Sequence, residues 1–393
     1  MLTRNGWLLL LGGAVVAVAG RAFALMELYV LAAGAVLLVA LALAYVRWSR
    51  LRLRVRRAVT PTRVHAGDTT RVELAASNLG PVRTPLVKLR DPVGGTRGAL
   101  LGLAPLRPQA SARAAYRLPT TKRGVMAIGP LTVELSDPFG LVRRTAQAAP
   151  VMELTVYPRV DRLGAPRGGG DRNPDGSAFN PNALGRQGDE FYAVRSYVLG
   201  DDLRRVHWPS TARNDELMVR QDEMPWQDRT TIVLDVRRAP HSTASFERAV
   251  SAAASCMLAA TRERHLGRLI TSDGYDTGNG FGAGHAEGAM EYLARVGPSG
   301  HASLRAAFDR VGRTQPGGVL VAIVGRATAA ELDLLARMRR SFRSVIAVVT
   351  EGPEPPRTPL HGALKIVDAT ADGVFAESWT HVVAPPAHEA IVL

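Results

Sequence analysis

The stretch VLVAIVGRATAAELDLLARMRRSFRSVIAVV, from Val319 to Val349, decides the fold of the C-terminal part of this chain. Val319–Val324 and Ser344–Val349 are continuous apolar runs of strand length, and Ala327–Arg340 between them has the composition of a helix. A strand that is apolar on both faces belongs inside a largely parallel sheet with helices on either side. The same alternation extends outward. Strands are expected at Thr230–Val236, Arg268–Thr271 and Leu364–Val367, and helices at Ser245–Arg264, Met290–Val296 and Leu304–Val311. The reading for residues 230–393 is an open, Rossmann-like α/β domain.

Residues 48–158 follow a different rhythm. Leu51, Leu53 and Val55 alternate with Arg52, Arg54 and Arg56, the period of a half-buried strand. Further strand-like segments fall at Thr70–Ala76, Leu86–Leu89, Ala112–Leu118, Leu131–Leu135 and Leu154–Tyr157, with turn residues between them. Short strands at this spacing predict an antiparallel β-sandwich of about 100 residues. Asp137-Pro138-Phe139-Gly140 reads as a tight turn with an aromatic anchor. Residues 159–187, with Gly168-Gly169-Gly170 and several Pro and Asn, read as a linker or mobile loop. Residues 188–229 open the last part of the chain with a run of mixed charge and aromatics.

The N-terminus is a lipid-facing sequence. Trp7 to Gly20 and Ala22 to Val46 are almost wholly apolar, and roughly 20 apolar helical residues cross a bilayer core. Residues 1–47 are therefore expected to form a transmembrane helical hairpin, packed through Gly12, Gly13 and Gly34. A cleaved signal peptide ending near Ala22-Phe23-Ala24 is the rival reading of the first run. The arginines that follow, including Arg47, Arg50 and Arg52, predict a cytoplasmic exit and contact with anionic lipid headgroups. This orientation leaves both the N-terminus and the bulk of the chain in the cytoplasm, beneath the inner (plasma) membrane.

The net charge of +14 over 393 residues does not imply nucleic acid. Lysine stands only at Lys88, Lys122 and Lys365, and neither a basic recognition helix nor stacked aromatics in a basic sheet are visible. Cys256, the single cysteine, excludes an intrachain disulfide and sits in an apolar helical run as a core residue.

Gly188–Arg220 concentrates the candidate functional residues. Arg195, Asp201, Asp202, Arg204, Arg205, His207, Trp208 and Arg213 form a charged-aromatic set suited to docking a protein partner, with Arg195, Arg204 and Arg213 as leading contacts. The same residues also suit a structural ion-pair network in which Trp208 anchors the segment on the α/β core. A hydrolase using Asp201, Asp202 and His207 is the enzymatic alternative, but no nucleophile elbow accompanies them. Asp235, at the end of the first parallel strand, is a weak metal candidate: Arg237 and Ala239 stand where hydroxyl ligands would be wanted. The glycine-rich Thr277–Gly284 lacks the phosphate-cradle patterns and reads as a flexible loop. No cofactor is expected, and the expectation overall is a non-enzymatic protein.

Arg123-Gly124, Gly129-Pro130, Asp137-Pro138-Phe139-Gly140-Leu141, Tyr157-Pro158, Gly188, Glu190-Phe191, Arg195, Tyr197, Gly200-Asp201, Arg204, Trp208 and Ala212-Arg213 occur in that order, followed by the Asp235 strand. Together they resemble a bacterial membrane-protein family, domain of unknown function 58. The resemblance implies a helical hairpin, a β-rich region and a von Willebrand factor A-like α/β domain. Members of that family are often encoded beside MoxR-type AAA+ ATPases and transglutaminase-like membrane proteins. The resemblance thus implies a membrane-bound scaffold or adaptor for such an ATPase. The chain departs from the metal motif Asp-x-Ser-x-Ser at Asp235-Val236-Arg237-Arg238-Ala239.

Overall fold

In the computed structural model the described residues are 1–49, 51–166, 191–196, 208–214, 216–222, 229–313, 317–352 and 364–383. The chain forms two compact units, one of Met1–Arg159 with Met290–Arg295, the other of Val160–Ala289 with Val296–Leu393.

The first unit opens with two helices, α1 (Arg4–Phe23) and α2 (Met26–Trp48), both long and apolar enough to cross a membrane. Thr3 caps α1 through its hydroxyl, and Ala24 in the left-handed region ends it. The helices pack at Gly13, which faces Ala32 and Ala35, and at Gly20, which faces Leu25, Leu28 and Tyr29; the third buried glycine of α1, Gly6, meets Leu141 instead. Of the glycines expected at this contact only Gly13 is there: its built Cβ position lies 3.1 Å from Ala35 Cβ, whereas Gly12 and Gly34 face open space. The sequence offered adjacent glycines and no phase to choose between them.

Ten strands follow: β1 (Leu53–Thr60), β2 (Arg63–His65), β3 (Thr70–Asn78), β4 (Val87–Asp91), β5 (Ala99–Leu103), β6 (Ser111–Leu118), β7 (Gly124–Ile128), β8 (Leu131–Ser136), β9 (Arg143–Ala149) and β10 (Met152–Tyr157). They form three sheets, β1-β3-β6, β2-β10-β7 and β5-β4-β8-β9. All pairings are antiparallel except β2 with β10. Val72, Leu74, Val87, Ile128, Leu131 and Leu154 belong to one apolar core in this region. Arg57, one of the arginines after the hairpin, turns into that core instead of toward lipid or water. Its Nη1 donates to Asp91 Oδ1 at 2.7 Å, and Tyr116 Oη donates to Asp91 Oδ2 at 2.7 Å. Burial of the Tyr116 hydroxyl beside that carboxylate raises its pKa.

The second unit begins with residues 160–166, where the Asp161 amide donates to Ser255 Oγ and Trp379 Nε1 donates to the Gly164 carbonyl, both at 2.9 Å. A two-stranded antiparallel pair, β11 (Phe191–Ser196) and β12 (Met218–Asp222), flanks the short helix α3 (Trp208–Asn214). The α/β part contains β13 (Arg229–Leu234), α4 (Thr243–Arg262), β14 (Leu266–Thr271), α5 (Gly282–Arg295), α6 (Leu304–Arg313), β15 (Val319–Val324), α7 (Ala329–Arg337), β16 (Ser344–Val349), β17 (Lys365–Asp368) and α8 (Val374–Val383). Its five strands are all parallel, in the order β14-β13-β15-β16-β17. β13 is thus the topological switch point, with β14 on one side and β15 on the other.

Thr277–Gly280, expected as a flexible loop, instead runs antiparallel along the outer edge of β14. The Thr277 amide donates to the Leu269 carbonyl at 3.0 Å, and Gly267 and Gly280 exchange backbone bonds of 2.8 and 3.0 Å. Gly280 is required there because a Cβ would run into the His285 ring. Arg268 clamps the segment through Asp276, with Nε to Oδ1 at 2.9 Å and Nη2 to Oδ2 at 2.6 Å.

Candidate functional site

The carboxyl ends of β13 and β15 form the crevice where open α/β sheets place ligands. The residue after β13, Asp235, is fully buried at 0% exposure, and its amide continues the ladder to the Ile323 carbonyl at 2.9 Å. A lone carboxylate could not remain charged there, because removing it from water is prohibitive without compensation. The compensation is local and complete. Arg237 grips it with Nε to Oδ1 at 2.9 Å and Nη2 to Oδ2 at 2.7 Å, and the Arg237 amide adds a bond to Oδ1 at 3.0 Å. Ser272, just past β14, donates to Oδ1 at 3.2 Å and accepts from the Val236 amide at 2.8 Å.

The clamp extends across the switch point. Arg237 Nη2 also donates to Glu331 Oε1 at 2.7 Å. Glu331 Oε2 accepts from the Thr328 amide at 3.0 Å, closing the capping box that starts α7. Burial pushes the Glu331 carboxyl up, but the Thr328 amide and Arg237 outweigh it and hold its pKa below the usual range. The hydrogen bonds to Asp235 raise the pKa of Arg237. One guanidinium therefore ties the end of β13 to the helix that follows β15.

The neighbouring loop closes the same crevice. A Cβ on Gly325 would collide with the Pro240 carbonyl, which accepts from the Arg326 amide at 2.9 Å. His241 Nε2 donates to the Asp235 carbonyl at 3.0 Å, and burial keeps its pKa below the imidazole norm. Ser242 caps α4 and donates its hydroxyl to Glu351 Oε2 at 2.6 Å. Ser242 and Ser245 together hold the half-buried Glu351 carboxyl down to about 2.

These residues do not fit a bound cation. Guanidinium nitrogens already contact both Asp235 oxygens, and the third donor, Ser272, is spent on the same carboxylate. Among the described residues no group of three or more His, Cys, Asp or Glu is arranged to hold a metal.

The charged-aromatic set is only partly placed. Asp201, Asp202, Arg204, Arg205 and His207 lie outside the described residues, as does Arg50. Arg195 lies in β11 opposite Val219. Trp208 starts α3 and is 69% exposed, so it does not anchor the segment in a core. Arg213, in the last turn of the same helix, is also exposed. Arg47 and Arg52 are exposed at the exit of α2, where Arg52 borders a groove of about 590 Å³ also lined by Leu51, Arg54, Leu79 and Gln147.

The sequence pattern of a protein family described as protein of unknown function DUF58 matches residues 193–380. Over that span the chain belongs to this family. The DUF58 region thus runs from β11 through α3 and the switch-point clamp to α8, bringing Trp208, Arg213, Asp235 and Arg237 into one family unit. No curated protein matches the chain. Among solved structures, part of the chain is similar to the CARDB domain of a Pyrococcus furiosus protein in complex with di-metal ions. That likeness has 18% identity and a TM-score of 0.23, and covers 28% of this chain and 96% of that one. A β-glucosidase from Listeria innocua in complex with isofagomine shows 12% identity and a TM-score of 0.19, covering 27% of this chain and 16% of that one. Both likenesses are too slight to carry an argument about fold or function.

Proposed function

We propose that this DUF58 protein is a membrane-anchored scaffold that docks a cytoplasmic protein partner through the α3 segment and works by contact rather than by turnover. The observation that carries this reading is Trp208, held 69% exposed on α3 with exposed Arg213 near the same helix's end. Trp and Arg are the residue types that most often dominate binding energy at protein interfaces. Asp201, Asp202, Arg204, Arg205 and His207 are proposed to complete that surface, together with Arg195. The closed clamp at Asp235 supports the non-catalytic part of the reading, because the usual ligand crevice is built as a staple.

The hairpin α1–α2 is proposed to span the inner membrane, with Arg47, Arg50 and Arg52 at the cytoplasmic headgroups. A von Willebrand factor A-like classification of the α/β part is supported by the antiparallel edge at Thr277–Gly280. Counting that edge as the third strand gives the order 3-2-1-4-5-6 of an open, doubly wound sheet. A β-sandwich classification of residues 48–158 is supported by sheets sharing one apolar core. On the family resemblance, the partner proposed is a MoxR-type AAA+ ATPase.

The test is co-purification with that ATPase from detergent extract. The wild type is expected to retain it. Trp208→Ala and Arg204→Glu/Arg213→Glu are expected to lose it, since a central aromatic or Arg anchor carries about 2 kcal/mol or more. Equal recovery by all three proteins would remove the proposed surface.

A further inference from the structure

Phe139 is 65% exposed at the tip of the turn between β8 and β9, an unusual place for a large apolar side chain on a turn this rigid. Asp137 fixes the turn: its Oδ2 accepts from the Phe139 amide at 2.9 Å and its Oδ1 from the Val142 amide at 2.6 Å. Gly140, at φ +69°, completes it in a conformation that suits glycine.

The turn is bound to the start of α1. Thr3 Oγ1 donates to the Gly140 carbonyl at 2.6 Å, the Thr3 amide donates to the Leu141 carbonyl at 2.8 Å, and Leu2 bridges Val142. Gly6, in the first turn of α1, lies so close to the Leu141 carbonyl that a Cβ would collide with it. Phe139 is only two residues from Leu141, so it lies within about 7 Å of that level along the hairpin. Trp7 and Trp48, both exposed, mark the same end.

Depth follows from α2. Leu135, Leu141 and Val142 share a buried cluster with Val39, Ala42 and Val46. At 1.5 Å per residue the contact from Val39 to Val46 reaches roughly 14 Å back from the helix exit at Trp48, into the part of α2 expected to be in the bilayer. A β-turn packed against that stretch cannot stand clear of the headgroups. Exposed aromatics at this level are the composition of a membrane-interface belt.

We propose that the 137–141 turn is a third membrane contact, with Phe139 seated at the boundary between headgroups and acyl chains. This rests on the reading of α1–α2 as a membrane hairpin and adds to it a fixed face of the β-rich unit toward the bilayer. The occupant is the lipid interface, by continuity with the spanning helices and by the exposed Arg144 just beyond the turn, a cation suited to anionic headgroups.

The test uses the full chain in vesicles of phosphatidylethanolamine and phosphatidylglycerol, in a Cys256→Ala background. An environment-sensitive fluorophore is placed in turn at Phe139→Cys, Leu37→Cys and Leu100→Cys. Leu37 lies on the exposed face of α2. Leu100 is on β5, whose register through Arg90 sets it level with Thr132, about 13 Å along β8 from Ser136. The expected result is a blue-shifted probe at 139 quenched by lipids brominated near the headgroup, quenching at 37 by lipids brominated deep in the chain, and a water-like probe at 100. A water-like, unquenched probe at 139 with 37 quenched overturns this inference and leaves the hairpin standing. An unquenched probe at 37 overturns both. Equal quenching at 139 and 100 also overturns it, because the contact would not be local to the turn.

Discussion

Arg237 is the residue on which the α/β unit's carboxyl edge depends. Arg237→Ala leaves the Asp235 carboxylate buried and unpaired and frees Glu331, a loss of about 3 kcal/mol. Thermal unfolding should show a clearly lowered midpoint, and Asp235→Asn/Arg237→Met should recover much of it because neither buried charge remains. A double variant no better than the single one would contradict the clamp as drawn. Asp276 gives a pH prediction. Its hydrogen bond from Arg268 holds its pKa below the ordinary value of 3.8, so the stabilisation is present above that value and is lost as pH falls through the lower folded one. Hydrogen-exchange protection of the Thr277 and Gly280 amides should therefore persist at about pH 5 and fail only below about pH 4. Asp276→Asn should remove that dependence. At this scale the sequence showed part of the site. A satisfied carboxylate at Asp235 could be inferred from its place after an apolar strand and from Arg237 nearby. Ser272, 37 residues on, and Glu331, 94 residues from Arg237, could not be, because nothing local to them marks a shared partner. Arg57 was legible in principle: it falls on the inward phase of its strand with Leu53 and Val55, and only its charge argued against burial.

Among the elements, the hairpin seam is the most directly testable. Gly13→Leu forces a side chain into Ala35 and should cost about 1–3 kcal/mol of helix–helix packing, whereas Gly12→Leu meets nothing and should be neutral. Resistance of the detergent-solubilised protein to heat would separate them, and equal behaviour would place the seam elsewhere. β15 and β16 were readable to the residue because strands covered on both faces leave an uninterrupted apolar run. β5 and β9 were not. Both lie at the edges of their sheet, and β9, RRTAQAA, is largely exposed, so it carries no alternation. α5 was expected only from Met290 but starts at Gly282, because glycines that argue against a helix also make the edge turn before it possible. β11 and β12 carry no strand signal in the sequence because their mixed charges read as a surface rather than a ladder.

At the scale of the whole molecule, the N-terminal pair of apolar helices belongs to the first of two compact units, and the net charge of +14 is carried almost entirely by arginine. Residues 1–3 bond to 140–143, so the start of the hairpin and the β-rich region lie on the same side of any membrane that α1 and α2 cross. The proposed orientation, with the arginines at the exit of α2 on the inner side, makes that side the cytoplasm. Protease added to intact spheroplasts tests this most directly, read with an antibody to the C-terminal region. The account predicts a full-length, protected band that is digested only after the membrane is opened. Digestion of the C-terminal region in intact spheroplasts would contradict it.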